Sequence, residues 1–188
     1  GLIGAALGVR RTDKEGQEKL RDWQCAVSVL TDRYPLQDFH TVQSVPTAAI
    51  KRPATRQAAL QALRQSDNAT ITRRDYFCDC AFGVAVWGGS EPENLATALN
   101  HPVFVPFLGR KSCPLSAPMA ARVVQADGPI AALNQVVLPP FIKDQPIVRA
   151  IVSDEAMQDA VHHREWNEPL NRELWHFGQQ DVYISPEV

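Results

Sequence analysis

The chain reads RRDYFCDCAFGVAVW from Arg73 to Trp87, and this stretch is its clearest predicted β-strand. Alternate positions from Tyr76 to Val86 are apolar or cysteine, and the opposite face is also largely apolar. A strand with two apolar faces is typical of the centre of a sheet that is covered on both sides. We therefore predict one central strand over this whole stretch, ended by Gly88-Gly89-Ser90.

The flanking sequence predicts short helices and further strands. Apolar periodicity and turn residues give a helix over Gly1–Val9, a strand over Trp23–Leu30, a turn at Tyr34-Pro35, an extended segment over Leu36–Val45, and a helix over Glu91–Leu99 capped by Ser90. The polar stretch Arg10–Glu18 is interpreted as broken by Gly16. After residue 118, the pattern predicts strands over Ile147–Val152 and Leu174–Ile184, with helix or loop over Asp154–His162.

The order of these elements predicts an α+β fold. The segment Pro46–Thr72, with an Ala/Gln/Leu-rich middle that fits one or two helical turns, is interpreted as an insertion. A strand upstream of Gly1 would complete β-α-β-β-α-β, the ferredoxin-like (RRM-like) arrangement. We expect this N-terminal strand to be missing, because the sequence opens at the start of a helix. One domain over 1–188 is predicted, with the insertion at 46–72 and further strands in 116–188.

The composition indicates a globular protein without a membrane span. Hydrophobic residues make up 45% and charged residues 21% of the chain. No apolar run approaches the roughly 20 residues that cross a bilayer, and the apolar start lacks the basic leader of a signal peptide. The cysteines are expected to be buried and reduced, as in the cytoplasm; they are Cys25, Cys78, Cys80 and Cys113. Their spacing is not that of a zinc site, so we expect no metal and no cofactor.

Basic and acidic residues are segregated along the chain, although the net charge is only −2. Six basic residues lie between Lys51 and Arg74, against Asp67 alone. Eight acidic residues lie between Ser153 and Val188, against two arginines. One part of the molecule is therefore predicted to face a polyanion, and the other to face solvent or a protein partner.

The stretch FLGRKSCPL, residues 107–115, has the composition of an oxyanion-binding loop. Gly109 can take backbone angles that are closed to other residues. Arg110 then offers a planar guanidinium, Lys111 a point charge, and Ser112 a neutral donor beside the backbone N–H groups. A phosphate would fit these donors, and a solvated surface loop is the alternative.

Four stretches together resemble the type I-E members of the "Cas five" family of CRISPR RAMP proteins. GLIGAALG (1–8) is similar to the family's glycine-rich first helix, and DFHTV (38–42) to its aromatic-His-Thr-Val segment. DYFCDCAF (75–82) is similar to its Tyr-Leu-Cys-Asp-Ala-Ser-Phe strand. LGRKSCPL (108–115), the most specific, is similar to its Leu-Gly-Arg-Arg-Ser-Cys-Pro-Leu loop. Lys111 replaces a second arginine there.

The resemblance implies a ferredoxin-like RAMP palm with a projecting thumb, which corresponds to residues 46–72. It implies a non-catalytic structural subunit of Cascade, the RNA-guided surveillance complex of antiviral defence, that binds the 5′ tag of the CRISPR RNA. Its implied partners are that RNA, a CasC-like backbone subunit and a CasA-like large subunit, with target DNA reached through the complex. A cytoplasmic location without membrane contact goes with this function.

The expected RNA-binding residues lie in the loop, in the insertion and in its flanks. They are Gly109, Arg110, Lys111, Ser112, Cys113, His40, Lys51, Arg52, Arg73 and Arg74. A solvated charged surface is the alternative for the basic residues of the insertion. His40 is interpreted as structural or RNA-contacting, since a different subunit, CasE, cuts the precursor RNA in type I-E systems.

Two other functions stay open from the sequence. His40 is the one candidate general base in a matching motif, so a metal-independent endoribonuclease that processes precursor CRISPR RNA is the first alternative. An unrelated ferredoxin-like protein-interaction module is the second.

Overall fold

The computed structural model describes residues 1–64, 69–142 and 148–186 of the protein. The helices in these ranges are α1 (Leu2–Ala6), α2 (Lys14–Lys19), α3 (Arg56–Gln61), α4 (Pro92–Asn100) and α5 (Pro129–Leu133), with a 3-10 turn over Leu20–Asp22. The strands are β1 (Gln24–Val29), β2 (Tyr34–Val42), β3 (Thr70–Cys78), β4 (Phe82–Trp87), β5 (Ala150–Ser153), β6 (Val161–Asn171) and β7 (His176–Pro186). Short helices combined with antiparallel strands make this an α+β fold, as predicted.

Five antiparallel strands form the main sheet, in the order β4-β1-β5-β7-β6. Strand β1 lies between two partners, since Val27 pairs with Val84 of β4 and with Val152 of β5. Strands β6 and β7 form a long hairpin with irregular register between Glu165 and Glu168. The hairpin extends the sheet on the side away from β4.

One face of this sheet is built from small side chains and is packed by α5. The buried cluster consists of Ala26, Ala85, Leu133 and Ile151. A Cβ atom added at Gly83 would lie 2.5 Å from Oγ of Ser28 and 3.2 Å from Cγ2 of Val136. Glycine therefore permits a close approach that a larger residue would block, and this approach brings α5 and the segment after it onto the sheet.

The chain divides into two compact units. Unit 1 comprises residues 1–31 and 81–188, and unit 2 comprises residues 32–80. Unit 2 contains an antiparallel ribbon of β2 and β3, with Tyr34 opposite Cys78 and Val42 opposite Thr70. It also contains α3, whose first turn is capped by Thr55. The predicted insertion, 46–72, lies in unit 2, and its residues 65–68 lie outside the described residues.

The predicted single strand from Arg73 to Trp87 is wrong. Asp79 has a φ of +55°, which ends β3, and the chain reaches β4 three residues later. The Ala81 amide donates to Oγ1 of Thr31 at 2.8 Å, and the Leu30 amide donates to the Ala81 carbonyl at 3.0 Å. These bonds start β4 beside β1, so the two halves of the stretch belong to different sheets.

The predicted central position of this stretch is also wrong. Among the described residues β4 pairs only with β1 and lies at the edge of the sheet. Phe82 and Val84 are 40% and 52% exposed. Strand β4 therefore carries apolar residues on both faces, although one of these faces is exposed.

Several smaller predictions are corrected as well. The polar stretch near Gly16 forms α2, because Oδ1 of Asp13 caps the Gly16 amide at 2.9 Å. The predicted turn at Tyr34-Pro35 lies inside β2, and α4 has Glu91 rather than Ser90 at its N-cap. The remaining predicted elements near the termini correspond to α1, β1, β5 and β7. The first residue of the predicted strand Ile147–Val152 lies outside the described residues. Strand β6 was not predicted.

The four cysteines are free thiols, but the expected burial is wrong: Cys25, Cys80 and Cys113 are half-buried, and Cys78 is exposed. Cys25 is half-buried beside Asp154, whose Oδ2 accepts a hydrogen bond from the Cys25 amide at 2.8 Å. The Asp154 amide donates in turn to the Cys25 carbonyl at 3.0 Å. Desolvation, with the Asp154 carboxylate as the second cause, raises the pKa of the Cys25 thiol to about 12.

This pKa predicts an order of thiol reactivity. Only the thiolate is nucleophilic, so at about pH 8 Cys25 presents roughly a thousandfold less thiolate than an unperturbed thiol. Iodoacetamide should modify Cys78 first and Cys25 last, as followed by peptide mass spectrometry. In urea all four thiols should react at similar rates, and preferential labelling of native Cys25 would contradict the pKa assignment.

The small-residue face predicts that Gly83→Ala destabilises the protein. The added methyl group collides with Ser28 and Val136, and overpacking of this kind costs about 1–3 kcal/mol. In a Ser28→Ala background the same change should cost less, because the nearest atom is removed. Urea unfolding of the four variants measures both free-energy differences, and equal costs in both backgrounds would contradict the contact.

Candidate nucleic-acid interface

The loop of residues 107–114 in unit 1 is closed at its base by main-chain pairing. Phe107 and Pro114 form an isolated antiparallel bridge. The Leu108 amide donates to the Cys113 carbonyl, and the Cys113 amide donates to the Arg110 carbonyl, each at 2.9 Å. The loop is therefore shaped by hydrogen bonds of its own backbone.

Gly109 gives this loop its sharp turn. The Arg110 amide donates to the Leu108 carbonyl at 2.9 Å, a γ-turn with Gly109 at its centre and a φ of +76°. A Cβ atom at Gly109 would have no neighbour within 4 Å. The glycine is thus required by its backbone angle rather than by space, as the sequence predicts.

Three consecutive polar side chains of the loop are exposed. They are those of Arg110, Lys111 and Ser112, whereas Cys113 is half-buried, with its Sγ 3.9 Å from Oγ of Ser112. A guanidinium, an ammonium and a hydroxyl on one tight turn provide charged and neutral donors for a phosphate. Anion binding is the chemistry that this set of groups supports.

The ribbon of unit 2 brings His40 and Arg74 to one carboxylate. Nε2 of His40 lies 2.8 Å from Oδ2 of Asp38, and Nη1 of Arg74 lies 3.8 Å from the same oxygen. Asp38 is opposite Arg74 in the register, and His40 follows two positions later on the same face. All three groups are partly exposed, so a polyanion would reach both the imidazole and the guanidinium.

Asp38 was not among the site residues predicted from the sequence. Its signal was the i, i+2 spacing from His40 on an extended segment, which places both residues on one face. The cross-strand pairing with Arg74 was not visible, because it depends on the register of β2 against β3.

Arg73 lies on the opposite face of the ribbon, beside aromatic rings. Its guanidinium carbon is 6.0 Å from the ring centre of Phe39, the residue opposite it in the register. Arg33 is placed in the same way, 5.2 Å from the ring centre of Phe77. Neighbouring arginines of β3 therefore serve the two faces separately, and one site cannot use Arg73 and Arg74 from the same direction.

Lys51 and Arg52 occupy the segment between β2 and α3. Both residues are exposed, and Arg52 has a φ of +51°. The predicted site residues thus form three groups: the loop in unit 1, the ribbon residues in unit 2, and this exposed basic pair.

The described residues contain neither a cluster of metal-binding side chains nor a helix of membrane-spanning length. Across residues 1–64, 69–142 and 148–186, no group of three or more His, Cys, Asp or Glu side chains has the arrangement to hold a metal ion. Within the same ranges, none of the helices is long and apolar enough to cross a membrane.

Comparisons with known proteins give one consistent family. The model of the family described as "CRISPR-associated protein (Cas_Cas5)" matches residues 1–183. The Escherichia coli K12 protein "CRISPR system Cascade subunit CasD" is 28% identical over 200 residues, which cover 98% of this chain and 80% of that protein. A chain of a solved "CRISPR RNA-guided surveillance complex" superposes with a TM-score of 0.65 at 24% identity, covering 100% of this chain and 76% of that chain. The structural match shows a shared fold, and the resemblance seen in the sequence is confirmed.

The γ-turn predicts a specific response to substitution at Gly109. Gly109→Ala forces a side chain to a positive φ in a classic γ-turn, a strained conformation that should cost about 1–3 kcal/mol, and Gly109→Asn should cost a similar amount because the tolerance of asparagine is limited to the αL region. Urea unfolding measures both losses. Equal stability of the alanine variant and the unmodified protein would contradict the positive φ.

Proposed function

Because the chain belongs to the family described as "CRISPR-associated protein (Cas_Cas5)", we propose that it is a structural subunit of a type I-E Cascade complex. In this role it binds the 5′ tag of the CRISPR RNA and joins the backbone of the complex to its large subunit. The similarity to CasD over 98% of the chain supports this role. The partners would be a CasC-like and a CasA-like subunit, with target DNA engaged through the assembly.

The exposed loop at Gly109 is the observation that carries the RNA-binding part of the proposal. Its backbone is held by its own hydrogen bonds, so Arg110, Lys111 and Ser112 are presented in a defined order. The 5′ tag is single-stranded, and its phosphates and unpaired bases can meet charged donors at close range. The net charge of −2 gives no general attraction to RNA, so binding has to come from local sites of this kind.

Unit 2 supplies a second contact region in the proposal. Residues 46–72 within it correspond to the thumb of the family, and the ribbon beside them carries His40, Arg73 and Arg74. With Lys51 and Arg52 also exposed, a nucleic-acid strand would meet cations on several surfaces of this unit. As part of the same proposal, unit 1 is the ferredoxin-like palm of the family.

The endoribonuclease alternative is not favoured by the comparisons, since the curated relative is a Cascade subunit. The Asp38–His40 pair is compatible with proton transfer, but it is equally suited to orienting the imidazole for contact with RNA. A His40→Ala variant therefore belongs in the test of the proposed function.

Arg110→Ala should weaken binding of the full chain to guide RNA transcribed from its own CRISPR repeat. Loss of one charged contact is expected to lower the affinity about tenfold and the salt slope of binding by about 0.7. Fluorescence anisotropy over a salt series measures both quantities. Arg164→Ala, which removes an exposed arginine of β6, is the matched control and should change neither.

The same RNA preparation tests cleavage. Incubated without metal, precursor RNA should stay intact with both the unmodified protein and His40→Ala. Cleavage at the repeat that disappears in His40→Ala would replace the structural role by a nuclease. Guide affinity equal to that for scrambled RNA, both alone and in the assembled complex, would refute the RNA-binding role.

A further inference from the structure

The tip of the β6–β7 hairpin carries a cluster of aromatic and arginine side chains that the proposed function does not use. The Arg11 guanidinium carbon lies 4.7 Å from the ring centre of Trp175, and that of Arg172 lies 5.9 Å from it. Arg172 also lies 5.4 Å from the ring centre of Phe177, and the two aromatic rings meet edge-on at 5.4 Å. Four flat groups from two parts of unit 1 therefore form one cluster.

Trp175 occupies a position that a bulky residue rarely takes. Its φ is +59°, in the left-handed region, yet 59% of the residue is exposed. The turn itself is held by Asn171, whose Oδ1 accepts the amides of Glu173 at 3.0 Å and Leu174 at 2.9 Å. Glycine or asparagine would meet the needs of this turn with less strain, so the strained tryptophan points to a use for its ring.

Hydrogen bonds to main-chain carbonyls of the hairpin hold Arg11 beside the ring and connect Arg21 to the same hairpin. Nε of Arg11 donates to the Arg172 carbonyl at 2.6 Å, and its Nη2 donates to the Glu173 carbonyl at 3.1 Å. Arg21 donates to the Pro169 carbonyl at 2.6 Å. These bonds link the hairpin tip to the segment around α2, so the guanidinium of Arg11 is oriented before any ligand arrives.

A cleft beside the cluster is rich in positive charge. Four cations line it against two carboxylates: Arg11, Lys14, Arg21 and Arg172 against Glu18 and Glu173. The lining therefore carries a surplus of two positive charges in a molecule whose net charge is −2. A local reversal of charge at a concave surface favours an anion over a cation as the ligand.

We propose that this cluster is a binding site for single-stranded nucleic acid, in which a base stacks on Trp175 and the neighbouring phosphate meets the cleft arginines. An exposed indole and guanidinium planes are the surfaces on which unpaired bases stack. The inference rests on the proposed function and extends it, since it assigns a contact separate in sequence from the loop at Gly109.

The chemistry of the cleft favours a nucleic acid over a protein partner. A protein contact at this place would be expected to bury an apolar centre, whereas the lining offers mainly charged and polar groups. Aromatic rings next to clustered cations match the alternation of bases and phosphates along one strand. The strand can be the guide RNA or a single strand of DNA, which share these two features.

Trp175→Asn is the decisive variant, because asparagine suits the left-handed turn and removes the aromatic surface. The probes are fluorescein-labelled guide RNA and single-stranded DNA of the same sequence, titrated against the full chain. We expect the affinity for at least one probe to fall about 5- to 150-fold, the range for loss of one base stack. Trp175→Phe should restore most of it, and Trp166→Ala, at a tryptophan that is 70% exposed on β6, should leave it unchanged.

The proposed phosphate contact is tested separately, through the salt dependence of binding. Arg172→Gln should lower the salt slope of single-strand binding by about 0.7, the contribution of one phosphate contact. A loss confined to RNA would identify the guide as the ligand, and an equal loss for both probes would show that the site accepts either strand.

Three outcomes would overturn the inference. Unchanged affinity of Trp175→Asn for both probes, while Arg110→Ala binds RNA more weakly, would remove this site and keep the proposed function. Unchanged affinity of Trp175→Asn for both probes, with reduced co-purification of other subunits, would make the cluster a protein contact. Unchanged binding of both probes by Trp175→Asn, together with unchanged RNA binding by Arg110→Ala, would remove this site and the assigned role of the loop.

Discussion

The close approach of α5 and Val136 to a sheet face of small side chains is the constraint on which unit 1 depends. Alanine, serine and glycine on β1 and β4 leave room that Leu133 and Val136 fill, at the density of a protein interior. The same constraint fixes the register of β1. A slip by one residue would turn Cys25 and Val27 toward α5 in place of Ala26 and Ser28, and the larger side chain of Val27 would not fit.

The functional surfaces are extensions from this frame rather than parts of its core. The loop at Gly109 is shaped by main-chain hydrogen bonds, so its cations need no side-chain partner to hold the turn. At the hairpin tip, by contrast, the side chains of Arg11 and Arg21 donate to main-chain carbonyls of the hairpin, and these hydrogen bonds orient the two guanidinium groups. Both arrangements place cations in local groups, and local groups matter because salt screens charges beyond about 10 Å.

The sequence predicted best what depends on neighbouring residues. The strand β1 and the turn at Gly109 follow from local patterns, and the structure confirms both. The prediction of one long strand from Arg73 to Trp87 failed because Asp79, which does not stand out in the sequence pattern, takes a positive φ that ends β3. Strand β6 was missed because its sequence is largely polar. It exists through pairing with β7, and such pairing is not written in the local pattern of either strand.

The sequence by itself determined the family, the α+β class and the character of the Gly109 loop. These follow from motifs and from a backbone angle that glycine takes readily and other residues avoid. Only the tertiary structure decided that β4 lies at the edge of the described sheet, that Asp38 holds His40, and that Arg11 meets Trp175. Residues 164 positions apart cannot be matched from a local pattern, because their contact depends on strand register, packing and turns elsewhere in the chain.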